Sequence, residues 1–366
     1  DVCSSDLKRI NMTNIKKLGL SALAGSLVAV SAQAGEMSVT GSANVTYKTG
    51  KTANSNKNIG SDKDVSFTGS GELDNGWTFT VSTLLDDAYA VSSSYTSLTM
   101  GSLGTISTGL HTGGASYKYD EEVPQAYEQT SDAQQNTANL VGNQMDSASL
   151  VYNSPSFDLA GASISFDLEY APNPTDPQVG DGGAGTYSET FRNGYGAGVT
   201  AKYAGLTVGA YGSERDNVTP VAAGQNAVRD AFEGVWYAKY SFGPVSVGYS
   251  KSYLDSGLAS AATTAVTTAK TVRTATGIFE AESMSIAFNM NENLSLSYTS
   301  TEDTYDDQDN AATAIADVTQ DTTALQVAYS MGAMSVKAYQ METKAPGYDS
   351  DAADLNVTEI ALGLAF

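Results

Sequence analysis

The sequence is short of charge, cysteine and histidine. Charged residues make up 16% of the 366 residues, against about a quarter in an average soluble domain. One cysteine and one histidine leave little material for metal or nucleophile chemistry. Beyond the N-terminus there is no run of about 18 apolar residues, which excludes a helical membrane protein. The net charge of −22 argues against nucleic-acid binding, because displacing counterions needs a basic surface.

Apolar and small polar residues make up most of the chain. Hydrophobic residues account for 41%, with 21 Tyr and 10 Phe, which is enough for a sizeable core and argues against a disordered chain. The mean hydropathy is nevertheless −0.21, because the sequence is rich in Ser, Thr, Asn and Gln and contains 35 Gly. Polarity without charge is the property that the fold has to explain.

The N-terminus has the pattern of an export signal. A pair of lysines, a short apolar run and the sequence Ala-Gln-Ala ending at Ala34 form the three parts of a signal peptide. We predict a signal peptide over 12–34 and a mature chain of one domain over 35–366, with 15 basic and 39 acidic residues and a net charge of −24. Residues 1–11 fit no part of a signal and are interpreted as a non-native or unexplained upstream extension.

Alternation of apolar and polar residues with a period of two runs through the remaining chain. Between Ala162 and Tyr170, for example, Ile164, Phe166 and Leu168 alternate with small or acidic residues. This alternation predicts β-strands with one apolar and one polar face. The sixteen predicted strands span 36–48, 64–73, 76–86, 94–101, 104–110, 147–153, 161–171, 195–204, 206–214, 231–241, 245–254, 275–288, 294–303, 321–331, 333–343 and 355–366.

The connections between these strands alternate in length. Seven are short and contain turn residues such as Gly, Asn and Pro, and eight are long and polar, as an up-and-down order of sixteen strands requires. All eight prolines lie in connections or at strand ends, where the missing N–H breaks no ladder hydrogen bond. The long connections span 49–63, 87–93, 111–146, 172–194, 215–230, 255–274, 304–320 and 344–354.

Short turns at one rim and long loops at the other are typical of a transmembrane β-barrel. In lipid, backbone hydrogen bonds have to be closed within the structure, so only helices and edge-free barrels span a membrane. A soluble β-sandwich is the alternative, but it has no reason to place every long loop at one end. We therefore predict an all-β, antiparallel, up-and-down transmembrane β-barrel of about sixteen strands, with short periplasmic turns and long extracellular loops.

Aromatic and small residues divide between the ends and the inner faces of the predicted strands. Tyr and Trp near strand ends are expected to form girdles at the membrane interfaces. Inward residues are mostly Ser, Thr, Gly and Asn, which cannot fill a lumen of sixteen strands, so the interior is expected to hold water. The girdle candidates are Tyr47, Trp77, Tyr152, Tyr170, Tyr203, Tyr211, Trp236, Tyr237 and Tyr329.

Three sequence features point to a known family. They are the hairpin SLTMGSLGTISTG over 97–109, which leads into a long acidic loop, the segment NSPSFDLAGASISFDLEYAP over 153–172, and the terminal Phe366. With the export signal, they make the chain resemble the Gram-negative general diffusion porins, in particular the alphaproteobacterial type. The resemblance implies a homotrimer in the outer membrane, a third loop folded into each lumen as a constriction, and Phe366 as the signal read by the barrel-assembly machinery.

The third and longest connection, 111–146, corresponds to that loop. Long loops in compact domains are usually functional, and carboxylates beside a narrow aqueous passage impose a negative field on it. The alternative is a solvated surface loop. The predicted residues of the constriction are Asp120, Glu121, Glu122, Glu128 and Asp132.

Basic residues opposite the loop are expected at inward positions of the barrel wall. Strand parity selects four lysines, although a bulge would reverse the assignment. The family resemblance implies a dense arginine ladder at this place, whereas arginine is scarce here and lies mostly near loops. This difference favours a negative lumen and a preference for cations. The predicted basic wall residues are Lys48, Lys202, Lys239 and Lys337.

Two other groups of residues lie outside this interpretation. An acidic loop after the strand 294–303 has oxygen ligands that suit Ca²⁺, but it lacks the spacing of an EF-hand, so a weak Ca²⁺ site and a solvated loop stay open. His111 is the single imidazole and would have to be the base of a hydrolase, yet no motif pairs with it. The candidate calcium ligands are Asp303, Asp306, Asp307 and Asp309.

The sequence thus predicts an outer-membrane porin that lets ions and small hydrophilic solutes diffuse through a water-filled pore. We expect no enzyme activity, no cofactor beyond the candidate Ca²⁺ site, no nucleic-acid partner, and contacts with outer-membrane lipid and lipopolysaccharide. One alternative is a substrate-selective channel, which should show an aromatic or arginine-rich lining. The other is a structural or adhesive outer-membrane barrel, which does not need a loop in its lumen.

Overall fold

The computed structural model describes a chain built almost entirely of strands. No helix in the described part is long and apolar enough to cross a membrane. The predicted signal peptide and residues 1–11 lie outside the described residues. The described residues are 35–51, 57–87, 90–131, 145, 149–172, 191–217, 225–227, 229–260, 277–306 and 317–366.

Nineteen strands and three short 3-10 turns occur among these residues. The turns are Gly101–Leu103, Ser116–Lys118 and Pro346–Tyr348. The strands are β1 (Met37–Lys51), β2 (Lys57–Glu72), β3 (Thr78–Leu85), β4 (Val91–Thr99), β5 (Thr105–Leu110), β6 (Leu150–Asn153), β7 (Phe157–Leu159), β8 (Ala162–Ala171), β9 (Phe191–Tyr203), β10 (Leu206–Asn217), β11 (Gln225–Ala227), β12 (Ala231–Phe242), β13 (Val245–Asp255), β14 (Leu258–Ser260), β15 (Ile278–Asn289), β16 (Leu294–Asp306), β17 (Val318–Met331), β18 (Met334–Lys344) and β19 (Leu355–Ala365).

The large sheet closes on itself. Its neighbours pair antiparallel in chain order, and β1 pairs with both β2 and β19. The short β6 and β7 both pair with β8 and form two pieces of one strand, while β11 and β14 make a separate two-stranded sheet. The described residues therefore form a barrel of sixteen antiparallel strands, which confirms the predicted fold.

Several connections differ from the prediction: β11 and β14 lie inside two of the long ones, and three others show why the bounds moved. The first is shorter, because β1 and β2 continue to pair as far as Thr49 with Lys57. Residues 57–63 were predicted as loop because they lack apolar alternation, but backbone hydrogen bonds between strands form without it. Likewise β16 extends to Asp306. In the connection predicted over 154–160, β7 intervenes, and the tight turn lies at Ala160 and Gly161, whose φ angles of 54° and 85° are both positive, as in a type I′ hairpin.

The two faces of the wall differ in chemistry. On β15, Met284 and Ile286 are exposed on one face, whereas Ser283 and Ser285 are buried on the other. The first kind of face forms an apolar band around the outside, and we call the second the polar face. Most buried residues lie on the polar face, between the wall and the connection after β5.

Two of the nine predicted girdle residues are on the wrong face for that role. Tyr211 and Tyr237 are 5% and 3% exposed and pack in one cluster on the polar face. Their neighbour Trp236 is exposed on the apolar face, as are Tyr203 and Tyr329. Position near a strand end suggested an interface, but alternation along the strand decides which face the ring occupies.

Candidate functional site

The connection between β5 and β6 is the one long connection whose described part is bonded to many distant strands. We call residues 111–131 the β5–β6 segment. Its one regular element is the 3-10 turn Ser116–Lys118. The rest is held by side chains of the polar face, at three places along its length.

The first anchor is a pair of buried carboxylates on β8. The side chains of Lys118 and Tyr119 both donate to Asp167, each at 2.7 Å. The backbone N–H of Ala115 and the hydroxyl of Tyr211 donate to Glu169 at 3.1 and 3.0 Å. Buried carboxylates are costly unless hydrogen-bonded, so these contacts fix where the segment lies.

Aromatic packing reinforces the first anchor. The ring of Tyr119 stacks on Tyr211, with centroids 5.3 Å apart at 24°, and contacts the ring of Tyr237. Burial, together with the Asp167 acceptor, raises the pKa of the Tyr119 hydroxyl, so it remains a donor. A Cβ on Gly198 would lie 2.4 Å from that hydroxyl oxygen, so a glycine on β9 provides the space for the ring.

The middle of the segment is held by one ion pair and two hydrogen bonds. Glu122 pairs with Lys239 of β12. The hydroxyl of Ser285 donates to the carbonyl of Pro124, and the N–H of Ala126 donates to Ser297 Oγ at 2.9 Å. These partners belong to three strands, so the segment follows the wall rather than leaving it.

The last anchor centres on Tyr127. Its hydroxyl donates to Glu359 of β19 at 2.8 Å, and its N–H donates to Gln326 Oε1 at 2.7 Å. The ammonium of Lys337 lies 5.1 Å from the ring centroid, within cation–π range. Lys48 Nζ lies 3.2 Å from the same Glu359 carboxylate. Burial and the Glu359 contact raise the pKa of the Tyr127 hydroxyl.

Glu121 ties the segment to itself. It is buried, with a φ of 41°, and accepts hydrogen bonds from the N–H groups of Thr130 and Ser131 at 3.1 and 3.3 Å. Both hydroxyls donate to it as well. Burial raises the pKa of the Glu121 carboxyl despite these donors. The carboxylate thus closes a loop of ten residues rather than facing solvent.

The β5–β6 segment therefore bridges β8 at one end and β19 at the other, on the polar face of a closed barrel. The family described as Gram-negative porin matches the chain over residues 19–365. This chain belongs to the Gram-negative porins.

Solved porins share the fold. The Salmonella typhi OmpF complex with daunomycin is 14% identical, with a TM-score of 0.66 and coverage of 91% of this chain and 98% of that one. A porin refined at 1.8 Å resolution is 14% identical, with a TM-score of 0.60 and coverage of 90% and 100%. An anion-selective porin from Comamonas acidovorans is 13% identical, with a TM-score of 0.57 and coverage of 90% and 99%. No curated protein matches the chain.

The predicted acidic residues of this porin have different surroundings. Asp120 is half-buried, and Glu121 and Glu122 make the contacts described above. Glu128 is half-buried, and its backbone carbonyl accepts from Gln326 at 2.6 Å. Asp132 lies outside the described residues. Their role as lining of a constriction stays a prediction.

Three of the four predicted wall lysines meet the segment or its partners. Lys239 binds Glu122, Lys337 lies over Tyr127, and Lys48 binds Glu359. Lys202 is exposed, four residues along β9 from Gly198, and therefore on the same face. At the chain terminus, Phe366 exchanges two backbone hydrogen bonds with Gly41 of β1, at 2.8 and 2.9 Å.

The candidate calcium ligands do not share one face where they are described. Asp303 is buried and accepts from the hydroxyl of Tyr348, whereas Asp306, three residues along β16, lies on the opposite face. Asp307 and Asp309 lie outside the described residues, so a Ca²⁺ site there stays a prediction. Another carboxylate group has ligand atoms within 4.8 Å of one another; it consists of Glu214, Asp216 and Asp230.

Sequence reasoning missed the wall carboxylates that hold the segment. Asp167, Glu169 and Glu359 occupy polar-face positions within strands, where most residues are Ser, Thr or Gly. An acidic residue among these small polar residues could have indicated a carboxylate that binds another part of the chain. Its partners lie up to 232 residues away in the chain, and no local pattern indicates them.

Proposed function

We propose that this porin is a passive diffusion channel for ions and small hydrophilic solutes, narrowed by the β5–β6 segment folded into its lumen. Selectivity then comes from the width and the lining charge of the passage. No reaction is part of this function, and His111, which is exposed at the start of the segment, serves no catalytic step in it.

The observation that supports the proposal best is the run of contacts along the segment. Hydrogen bonds link it to Asp167 on β8, Ser297 on β16 and Glu359 on β19. A surface loop on an outer rim has no access to the polar faces of strands so far apart in a closed barrel. A loop that spans the inside reaches all of them and narrows the space that it crosses.

The charges near the segment favour cations. Lys48, Lys118 and Lys239 each lie beside a carboxylate, so their positive charge is locally compensated. The chain as a whole keeps its excess of acidic residues, at a net charge of −22. Low-dielectric walls strengthen the resulting negative potential in a narrow passage.

Conductance and reversal potential in planar bilayers test this function. We expect discrete conductance steps for the purified protein. In a KCl gradient, the sign of the reversal potential should show that K⁺ permeates more readily than Cl⁻. Deleting residues 120–132 should raise the conductance of each step, because the narrowing segment is gone.

Each outcome bears on a different part of the proposal. An unchanged step after the deletion would contradict the constriction and favour a structural or adhesive barrel. A clear Cl⁻ preference would contradict the cation preference alone. Absence of conductance from correctly folded protein would contradict the channel function.

We also propose that the porin is exported to the outer membrane through its predicted signal peptide and assembles there as a homotrimer. Support for an interface comes from the apolar face of β2–β5, where one cross-strand row runs through Gly69, Val81, Thr96 and Thr108, three of which are glycine or threonine. On the far side of the barrel, the corresponding positions hold large side chains such as Met284 and Tyr298. Recognition of Phe366 by the assembly machinery and contacts with lipopolysaccharide belong to the same proposal.

A further inference from the structure

A cavity of about 840 Å³ lies between the β5–β6 segment and the polar face of β4–β6. The anchors described above leave this side of the segment open, because they all connect it to β8 and later strands. The volume falls within the range of sites that bind small molecules. Its lining includes Tyr95, His111, Tyr117, Gln129 and Asn153.

Two tyrosines line this cavity with their rings exposed. Tyr117 is 73% exposed and Tyr95 is 40% exposed, although Tyr119 and Tyr127 of the same segment are packed against the wall. Tyr95 lies opposite Ser82 in the β3–β4 register, and Ser82 Oγ is hydrogen-bonded to Thr68 Oγ1 on the polar face at 2.9 Å. The ring therefore faces the inside of the barrel rather than lipid.

The other groups around the cavity are mainly uncharged hydrogen-bonding groups. Ser93 and Ser107 contribute hydroxyls from β4 and β5. Gln129 and Asn153 contribute amides, whose nitrogens also donate to the carbonyl of Asp120 at 3.4 Å and to Asp167 at 2.6 Å, respectively. Two charged side chains also reach the lining: the ammonium of Lys118, which donates to Asp167 at 2.7 Å, and the carboxylate of Asp120. The site thus combines aromatic rings with donors and acceptors, and part of its positive charge is compensated.

We propose that this cavity is a saccharide subsite of the channel. A pyranose ring has a face of C–H groups that packs on an aromatic ring and a rim of hydroxyls that exchange hydrogen bonds with amides and hydroxyls. Both kinds of group are present here, one tyrosine from the wall and one from the segment. The inference rests on the proposed function, because solutes reach the cavity through the lumen.

Maltose is the probe, and the K⁺ current through single channels is the measurement. Wild-type protein should show a saturable reduction of current with maltose. Tyr117→Leu should raise the half-saturating maltose concentration at least tenfold, whereas Tyr117→Phe, which keeps the ring, should stay within about twofold of wild type, as expected for loss of one exposed hydroxyl. Tyr95→Leu gives an independent second variant.

Two controls separate stacking from crowding of the pore. Sorbitol has similar hydroxyls but no ring, so it should reduce the current only in proportion to its concentration. Tyr203→Leu removes an exposed tyrosine from the apolar face and should leave maltose saturation unchanged.

Equal, non-saturating effects of maltose and sorbitol on a conducting wild-type channel would overturn the saccharide subsite and leave the channel function intact. Unchanged saturation in both Tyr117→Leu and Tyr95→Leu would also overturn it. Failure of the wild type to conduct at all would instead count against the proposed function itself.

Discussion

Glu359 is a buried acceptor that three side chains share. Tyr127 and Tyr339 donate to it at 2.8 and 3.2 Å, and Lys48 Nζ lies 3.2 Å away. A buried carboxylate that loses a donor costs free energy, because water does not replace that donor. We therefore expect the hydrogen bond from the Tyr127 hydroxyl to Glu359 to stabilise the β5–β6 segment on the wall.

Tyr127→Phe should lower the free energy of unfolding by about 1–3 kcal/mol, the usual cost of removing a hydrogen bond to a charged group. The ring stays, so its packing on Tyr339, with centroids 5.7 Å apart, is kept. Urea unfolding of the detergent-solubilised protein measures the change. Tyr117→Phe is the matched control, and because Tyr117 is exposed it should shift the free energy by less than about 0.5 kcal/mol. Equal effects of the two substitutions would show that the Glu359 contact is not stabilising.

Glu121 makes the position of the segment depend on pH. Its pKa is raised by burial, so the folded segment binds a proton more tightly than the unfolded one. The stability that this proton contributes is complete below the ordinary carboxyl pKa and is lost as the pH rises through the raised value.

Protease cleavage of the segment in the folded protein should therefore become faster as the pH rises across that window. In Glu121→Gln, which cannot titrate, this part of the pH dependence should disappear. Glu122→Gln, which removes the neighbouring carboxylate that pairs with Lys239, should retain it. A pH profile that is identical in wild type and Glu121→Gln would refute the assignment to Glu121.

At the scale of the element, the strands were predictable and the partners of the segment were not. Alternation identifies β8 because Ile164, Phe166 and Leu168 interleave with polar residues, and pairing in a barrel needs only this local pattern. Residues 57–63 of β2 have no such alternation, yet their backbone hydrogen bonds to β1 continue the ladder. The hydrogen bond from Tyr127 to Glu359 joins residues 232 positions apart and forms only because the sheet closes, so no local sequence pattern predicts it.

Close packing of the segment on the wall gives a test at this scale. A Cβ on Gly248 would lie 2.4 Å from Pro124 Cδ and 3.2 Å from Val123 Cα, so the residue there has to be glycine unless the segment moves. Gly248→Ala should displace the segment at a cost of about 1–3 kcal/mol, as overpacking usually does. Single-channel recording should then show a larger or noisier open current.

Gly212→Ala is the matched control for this substitution. Gly212 lies on the apolar face of β10, and its Cβ would approach no atom closer than 3.6 Å. Alanine at this position should leave the conductance as in the wild type. If Gly248→Ala also conducts like the wild type, the segment does not set the width of the passage.

At the scale of the whole molecule, the low charge and the negative hydropathy have one cause. Most side chains on one face of each strand are apolar and meet lipid, and most of those on the other are small and polar and meet water or the segment. The barrel closes where β1 pairs with β19, and the backbone of Phe366 bonds to Gly41 at that seam. Carboxylates on the polar face then serve as acceptors for the segment, which explains why Asp167, Glu169 and Glu359 occur among the uncharged polar residues of that face.

The outer surface also bears on the proposed assembly of the barrel into a homotrimer. The row through Gly69, Val81, Thr96 and Thr108 contains no aromatic or long side chain, and a second copy packed there would remove the two threonine hydroxyls from lipid. Thr96→Trp should place a bulky ring in that contact and convert trimers to monomers, observed by size-exclusion chromatography with light scattering.

The control for assembly is Ser300→Trp, on the apolar face of β16, on the other side of the barrel. A ring of the same size there faces lipid, where Trp is tolerated, so the trimer should persist. Because each barrel contains its own β5–β6 segment, monomers of Thr96→Trp should still conduct, with the step size of one pore. A trimer that survives Thr96→Trp but is lost in Ser300→Trp would place the interface on the opposite side of the barrel.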